Sequence, residues 1–116
     1  MNSRAQTGRR AEDLAAAYLA AKGLTIVERN FRARVGEIDL IARDGESVVF
    51  VEVRARAGAG FGGAAASVTA AKRRRLERAA RLWICARGWN GPCRFDVVAF
   101  DGGRLEHIPA AFSEGG

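Results

Sequence analysis

A chain of 116 residues, 48% hydrophobic and 28% charged, carries enough apolar material for one buried core, too little length for two, and no compositional sign of wholesale disorder. A formal charge of +6 at pH 7 points to a polyanion, nucleic acid or an anionic membrane surface, although many small basic proteins use such charge for solubility alone. The polar start MNSRAQTGRRAED has no signal-peptide core, no apolar run approaches the ~20 residues of a membrane helix, and two cysteines with one histidine cannot form a zinc cluster of usual spacing, so the expectation is a cytoplasmic protein with reduced thiols and no membrane partner.

In chain order, Ser3 and Gln6 suggest a capping box opening a helix from about Arg4 to Lys22, stopped by Gly23. Ala11, Leu14, Ala15, Tyr18 and Leu19 follow helical spacing and form its expected inward stripe. A strand is expected over Thr25–Phe31, then a basic turn at 32–35. A hairpin follows, with strands Glu37–Arg43 and Val48–Arg56 joined through Asp44-Gly45-Glu46-Ser47. Residues 57–66, AGAGFGGAAA, have no periodicity and read as a loop, in which Phe61 suits either a lid or a plain connector. Ser67 is the expected cap of a second helix running to about Arg87, with Leu76, Ala79, Ala80 and Trp83 inward; Gly88, Gly91 and Pro92 end it. Strands over Arg94–Asp101 and Arg104–Ile108 complete the chain. Three consecutive strands suit an antiparallel meander. The helical crossover then sets strand 94–101 parallel to a neighbour, which gives an α/β fold with a mixed sheet flanked by helices.

The hairpin carries the chemistry. Even parity across its turn places Ile38, Leu40, Ala42, Val49, Val51 and Val53 on one wholly apolar face. The other face has Ile41, Val48 and Phe50 near the turn and Glu37, Asp39, Glu52 and Arg54 away from it. A type II′ turn on Gly45-Glu46 sets Asp39 opposite Glu52, whereas a type I′ turn on Asp44-Gly45 sets Glu37 opposite Glu52 with Asp39 diagonal. Either pairing clusters the acids. Opposed side chains have β-carbons roughly 4.5–5.5 Å apart, and like charges there are destabilising. A divalent cation compensates for that, because Mg²⁺ characteristically takes one or two carboxylates. So does an ion-pair network with Arg43, Arg54 or Arg56, and geometry alone balances the two.

Asp39 followed by Glu52-Val53-Arg54 resembles the D…(D/E)xK signature of the PD-(D/E)xK nuclease superfamily. More closely, GRRAEDLAAAYLAAKGL, RNFRARVGEIDLIARDG, VVFVEVRAR, the FG of the loop, VTAAKRRRL and RFDVVAF together resemble the YraN-like family, an uncharacterised bacterial family regarded as nuclease-like, over about Gly8 to Phe112. The resemblance implies a single restriction-endonuclease-like domain over 1–116 with an αβββαβ core, similar to archaeal Holliday-junction resolvases. It further implies an endonuclease acting on DNA, branched or structured DNA included, with Mg²⁺ or Mn²⁺ as cofactor. Carried over by position, Asp39 and Glu52 are the metal carboxylates, Glu12 is the helix acid completing the site, and Glu37 is an outer-shell acid. The ordinary reading of Glu12 is an exposed helix glutamate. Arg54 stands where the signature has Lys. Arginine stays protonated and cannot act as a base, but it can contact phosphate or stabilise developing negative charge. Lys72 is an alternative source of a mobile ammonium.

Arg74, Arg78 and Arg81 form a basic edge on the second helix, with Lys72 and Arg75 beside it and only Glu77 interleaved; Arg9 and Arg10 precede Glu12 on the first. Such stripes suit phosphate contacts, though a solvated face is the commoner role for any one of them. Trp83 and Trp89 read as core and loop anchor. Two other readings compete with the endonuclease: a non-catalytic nucleic-acid-binding module on the same scaffold, and a protein-interaction domain. Junction-cutting relatives of the fold pair two active sites, which raises a homodimer, yet no stripe marks an interface.

Overall fold

The structure is a computed structural model that describes residues 4–56, 68–101 and 104–112. Its elements are α1 (Arg4–Ala21), β1 (Thr25–Ala33), β2 (Gly36–Asp44), β3 (Ser47–Arg56), α2 (Ala70–Arg87), β4 (Cys93–Asp101) and β5 (Arg104–Phe112). The five strands form one sheet in the order β1-β2-β3-β4-β5, antiparallel except for the parallel pair β3–β4. The expected αβββαβ core and mixed sheet are therefore present. The parallel pair follows from α2, which returns the chain to the starting end of the sheet.

Each helix covers one sheet face. Ala15 and Leu19 of α1 pack on Leu40, Ala42, Val49, Val51 and Val98. Leu76, Ala79, Ala80 and Trp83 of α2 pack on Ile41, Val48, Phe50 and Phe95. β3 is central and covered on both sides, so its run Val48-Val49-Phe50-Val51 is wholly buried and apolar without alternation. Trp83 meets Phe50 edge-on at 5.7 Å between ring centres and donates its Nε1–H to Glu28 at 3.0 Å, while Trp89 donates to the Pro92 carbonyl at 3.2 Å. The core and anchor roles expected of the two tryptophans hold.

Several local expectations change. Leu14 is 49% exposed, because α1 rests on the line Ala11, Ala15, Leu19 and turns Leu14 to the flank. Thr69, and not Ser67, caps α2, its hydroxyl accepting the Lys72 N–H at 3.2 Å. Ser67, the capping Ser3 and the loop 57–66 with Phe61 lie outside the described residues. β1 runs on to Ala33 and shortens the basic turn to Arg34-Val35. β5 continues past Ile108 to Phe112 through an irregularity at which Ala110 adopts φ 50°. Of the two thiols, Cys85 is exposed and Cys93 half-buried, and neither forms a disulfide. Among the described residues no helix is long and apolar enough to cross a membrane.

The largest correction concerns Ile38. It belongs to the α2-side cluster, whereas Leu40 and Ala42 belong to the α1 side, so the expected apolar face is broken between residues 38 and 40. The cause lies in the ladder. β2 and β3 pair from Asp44↔Ser47 to Leu40↔Val51 and no further. The same register would next join Ile38 to Val53, but the Val53 N–H goes to the Asp39 carboxylate instead.

Candidate acidic site

The two-residue loop Gly45-Glu46, with Gly45 at φ +61°, decides between the two turn alternatives in favour of the type II′ geometry. Its register, carried one step beyond the last pair Leu40↔Val51, brings Asp39 toward Glu52 where the strands part. Asp39 Oδ2 accepts the Val53 N–H at 2.8 Å. Burial first, and then the Glu52 charge, push the Asp39 pKa up to about 7; Glu12 and Glu37 add smaller repulsions, against the lowering effect of the Val53 N–H. Glu52 is likewise raised by burial, opposed by the cations of Arg54 and Lys72. Two carboxyl groups confined together in this way favour sharing a proton over ionising both.

Glu12, on α1, acts on Asp39 through its charge. Its Oε1 is buried and has no hydrogen-bond partner among the described residues. A buried carboxylate oxygen left unpaired is costly, and a cation is the kind of ligand that satisfies it. The ordinary exposed-glutamate reading therefore does not describe Glu12. Glu37 lies at the edge, 59% exposed and 4.0 Å from Arg32 Nε. With Glu52, Lys72 and Arg75 it lines an open cleft of about 140 Å³.

Arg54 contacts Glu52 at 3.8 Å, and its Nε is buried without a hydrogen-bond partner among the described residues. It neutralises part of the acidic charge. Arg43 turns away to the Gly45 carbonyl at 3.3 Å and the face of Trp89 at 4.6 Å. The side chain of Arg56 lies outside the described part of the molecule. Among the described residues no three His, Cys, Asp or Glu side chains form a ready-made metal cage. The donor set is thus the Asp39–Glu52 pair with Glu12 nearby, a short set that suits an ion keeping several of its waters.

The basic residues divide between the two sheet faces. Lys72, Arg74, Arg75, Arg78 and Arg81 are exposed on α2, and Arg9 and Arg10 are exposed on α1, ahead of Glu12. Of these, Lys72 and Arg75 line the acidic cleft. Sequence reasoning missed two groups. One is Gly36, where a β-carbon would lie 2.1 Å from the Arg75 carbonyl oxygen. The other is Asp96, fully buried and bonded by Arg94 (2.9 and 3.2 Å), His107 Nε2 (2.8 Å) and the Ala110 N–H (2.9 Å). An acid inside the apolar run RFDVVAF was its available signal.

The model of the uncharacterised protein family UPF0102 matches residues 11–100, a span that includes the whole acidic cluster. The chain belongs to this family. A UPF0102 protein of Dechloromonas aromatica is 57% identical over 106 residues, covering 91% of this chain and 88% of that one. One from Alkalilimnicola ehrlichii is 53% identical, covering 96% and 90%, and one from Nitrosomonas europaea is 50% identical, covering 98% and 99%. This is the bacterial family that the motif segments resembled. Glu12, Glu37, Asp39, Glu52, Arg54 and the α2 cations all lie inside the UPF0102 match, whereas Arg9 and Arg10 precede it.

Proposed function

We propose that the protein is a metal-dependent endonuclease acting on nucleic acid, DNA in the first instance, in the cytoplasm. The observation that carries this reading is the half-buried Asp39–Glu52 pair, whose charges repel, together with Glu12, whose charge acts on Asp39 and whose Oε1 has no hydrogen-bond partner among the described residues. Asp39 and Glu52, assisted by Glu12, would hold Mg²⁺ or Mn²⁺, and such an ion supplies Lewis-acid polarisation of a phosphodiester and a more acidic water. The chain's own groups do the rest. The Val53 N–H fixes the orientation of Asp39, and Arg54, permanently protonated, steadies Glu52 and offers positive charge to a phosphate that becomes more negative. Arg54 cannot take a proton from water, so any base must be another group. Lys72 stands on the cleft wall and brings an ammonium toward Glu52.

The test incubates purified protein with duplex, branched and single-stranded DNA in Mg²⁺ or Mn²⁺. Cleavage by the wild type that is abolished by EDTA and by Asp39→Ala supports the proposal. Equal cleavage by wild type and variant would show a contaminating nuclease and sink it. The pairing of Arg54 with Glu52 favours a second reading, a non-cleaving nucleic-acid-binding module, for which salt-sensitive DNA binding should be indifferent to EDTA and to loss of Asp39.

A further inference from the structure

The β1–β2 turn joins the acidic cleft through its backbone. Ala33 pairs with Gly36 and Arg32 with Glu37, so the turn itself is Arg34-Val35. Gly36 lies directly against α2, with its missing β-carbon 2.1 Å from the Arg75 carbonyl oxygen. The next residue, Glu37, lines the cleft together with Glu52, Lys72 and Arg75. The turn is thus held beside the first turns of α2 by close backbone packing, and its arginines are brought next to those of the helix.

Arg32, Arg34, Lys72 and Arg75 are all exposed there. The one acid in residues 32–37 is Glu37, 59% exposed and 4.0 Å from an Arg32 side chain that is itself 74% exposed. An ion pair that open contributes little. Like charges crowded on one rim weaken the folded state, and a bound polyanion relieves the repulsion. The rim continues along α2 through Arg74 and Arg78, both exposed. A line of cations matches successive phosphates of a strand better than it matches a single anionic headgroup.

We propose that Arg32 and Arg34 of the β1–β2 turn extend the Lys72–Arg75 end of α2 into one phosphate-binding rim that carries a nucleic-acid backbone past the acidic cleft. The inference rests on the reading of the partner as nucleic acid, and it names where that strand runs. Guanidinium groups suit the task, because they bind phosphate oxygens in bidentate fashion.

Fluorescence anisotropy of labelled duplex DNA, measured from 50 to 200 mM salt, tests it with wild type, Arg34→Ala, Arg32→Ala/Arg34→Ala and Arg104→Ala. Arg104 is an exposed arginine on β5, at the opposite sheet edge, and serves as the control. Removing one phosphate-binding arginine should reduce the slope of log K against log salt by about 0.9, so the double variant should fall by roughly twice that. Arg34→Ala should fall by about half as much as the double variant, and Arg104→Ala should match wild type. If wild type binds and the double variant keeps the wild-type slope, the rim is overturned while the nucleic-acid reading stands. Wild type that binds vesicles of anionic lipid but no DNA overturns both.

Discussion

The Asp39 carboxylate accepts the Val53 backbone N–H at 2.8 Å, in the place that regular antiparallel pairing would give to the Ile38 carbonyl. At this point the β2–β3 ladder ends, Ile38 lies on the other sheet face, and Asp39 is half-buried within reach of the Glu52 charge. The architecture of the site therefore depends on one side chain replacing one backbone group.

A pH dependence follows. With the Asp39 pKa pushed up to about 7, the metal-free folded protein holds a proton that the unfolded chain releases near pH ~4. The associated stability is complete below that lower value and is lost as pH rises through about 7, with an upper bound of about 4 kcal/mol. Asp39→Asn removes the titrating group. Urea unfolding at pH 5 and pH 8 should show the variant gaining on wild type at the higher pH; a difference independent of pH contradicts the assignment.

Divalent cations should act in the opposite sense. Mg²⁺ or Mn²⁺ competes with the proton for the Asp39–Glu52 pair, so the thermal midpoint should rise on adding metal, more at pH 8 than at pH 6. EDTA should reverse the rise, and Asp39→Ala/Glu52→Ala should show none. An equal rise in that double variant would place the ion elsewhere.

Gly36→Ala should destabilise the protein by roughly 1–3 kcal/mol, because the added methyl meets the Arg75 carbonyl and α2 must move away from β2. Chemical denaturation measures the loss. Gly36 is absent from the residues with positive φ, so strain from the backbone angle is not the cause. A neutral outcome would mean that α2 is not seated where the structure has it.

Asp96→Ala leaves the guanidinium of Arg94, His107 and the Ala110 N–H without their shared acceptor. Arg94 keeps its ion pair with Asp44 at 2.8 Å, so the cost is that of donors left without an acceptor, roughly 1–3 kcal/mol. Ala110, at φ 50°, also loses the bond that compensates its left-handed backbone. Thermal melting should show a large loss for the alanine variant and a smaller one for Asp96→Asn, which keeps the side chain's shape and one acceptor oxygen.

Local patterns determined much of this molecule. Helical spacing located both helices, and hairpin parity grouped Asp39 with Glu52 under either turn, while the structure chose the Gly45-Glu46 loop. These features are legible because periodicity and turn geometry depend on neighbours in the chain. The tertiary structure decided the rest. Parity could not anticipate the slip at Ile38, because the competitor for the Val53 N–H is a side chain on another strand. Nothing local distinguishes Glu12 from an ordinary helix glutamate until α1 is laid on the sheet and one of its oxygens is buried unpaired. Gly36 and the arginines of its turn acquire meaning only through α2, far along the chain, whose backbone approaches closely enough to exclude a single methyl group. Alternation and capping are short-range; desolvation, close packing and charge crowding arise only when distant segments meet.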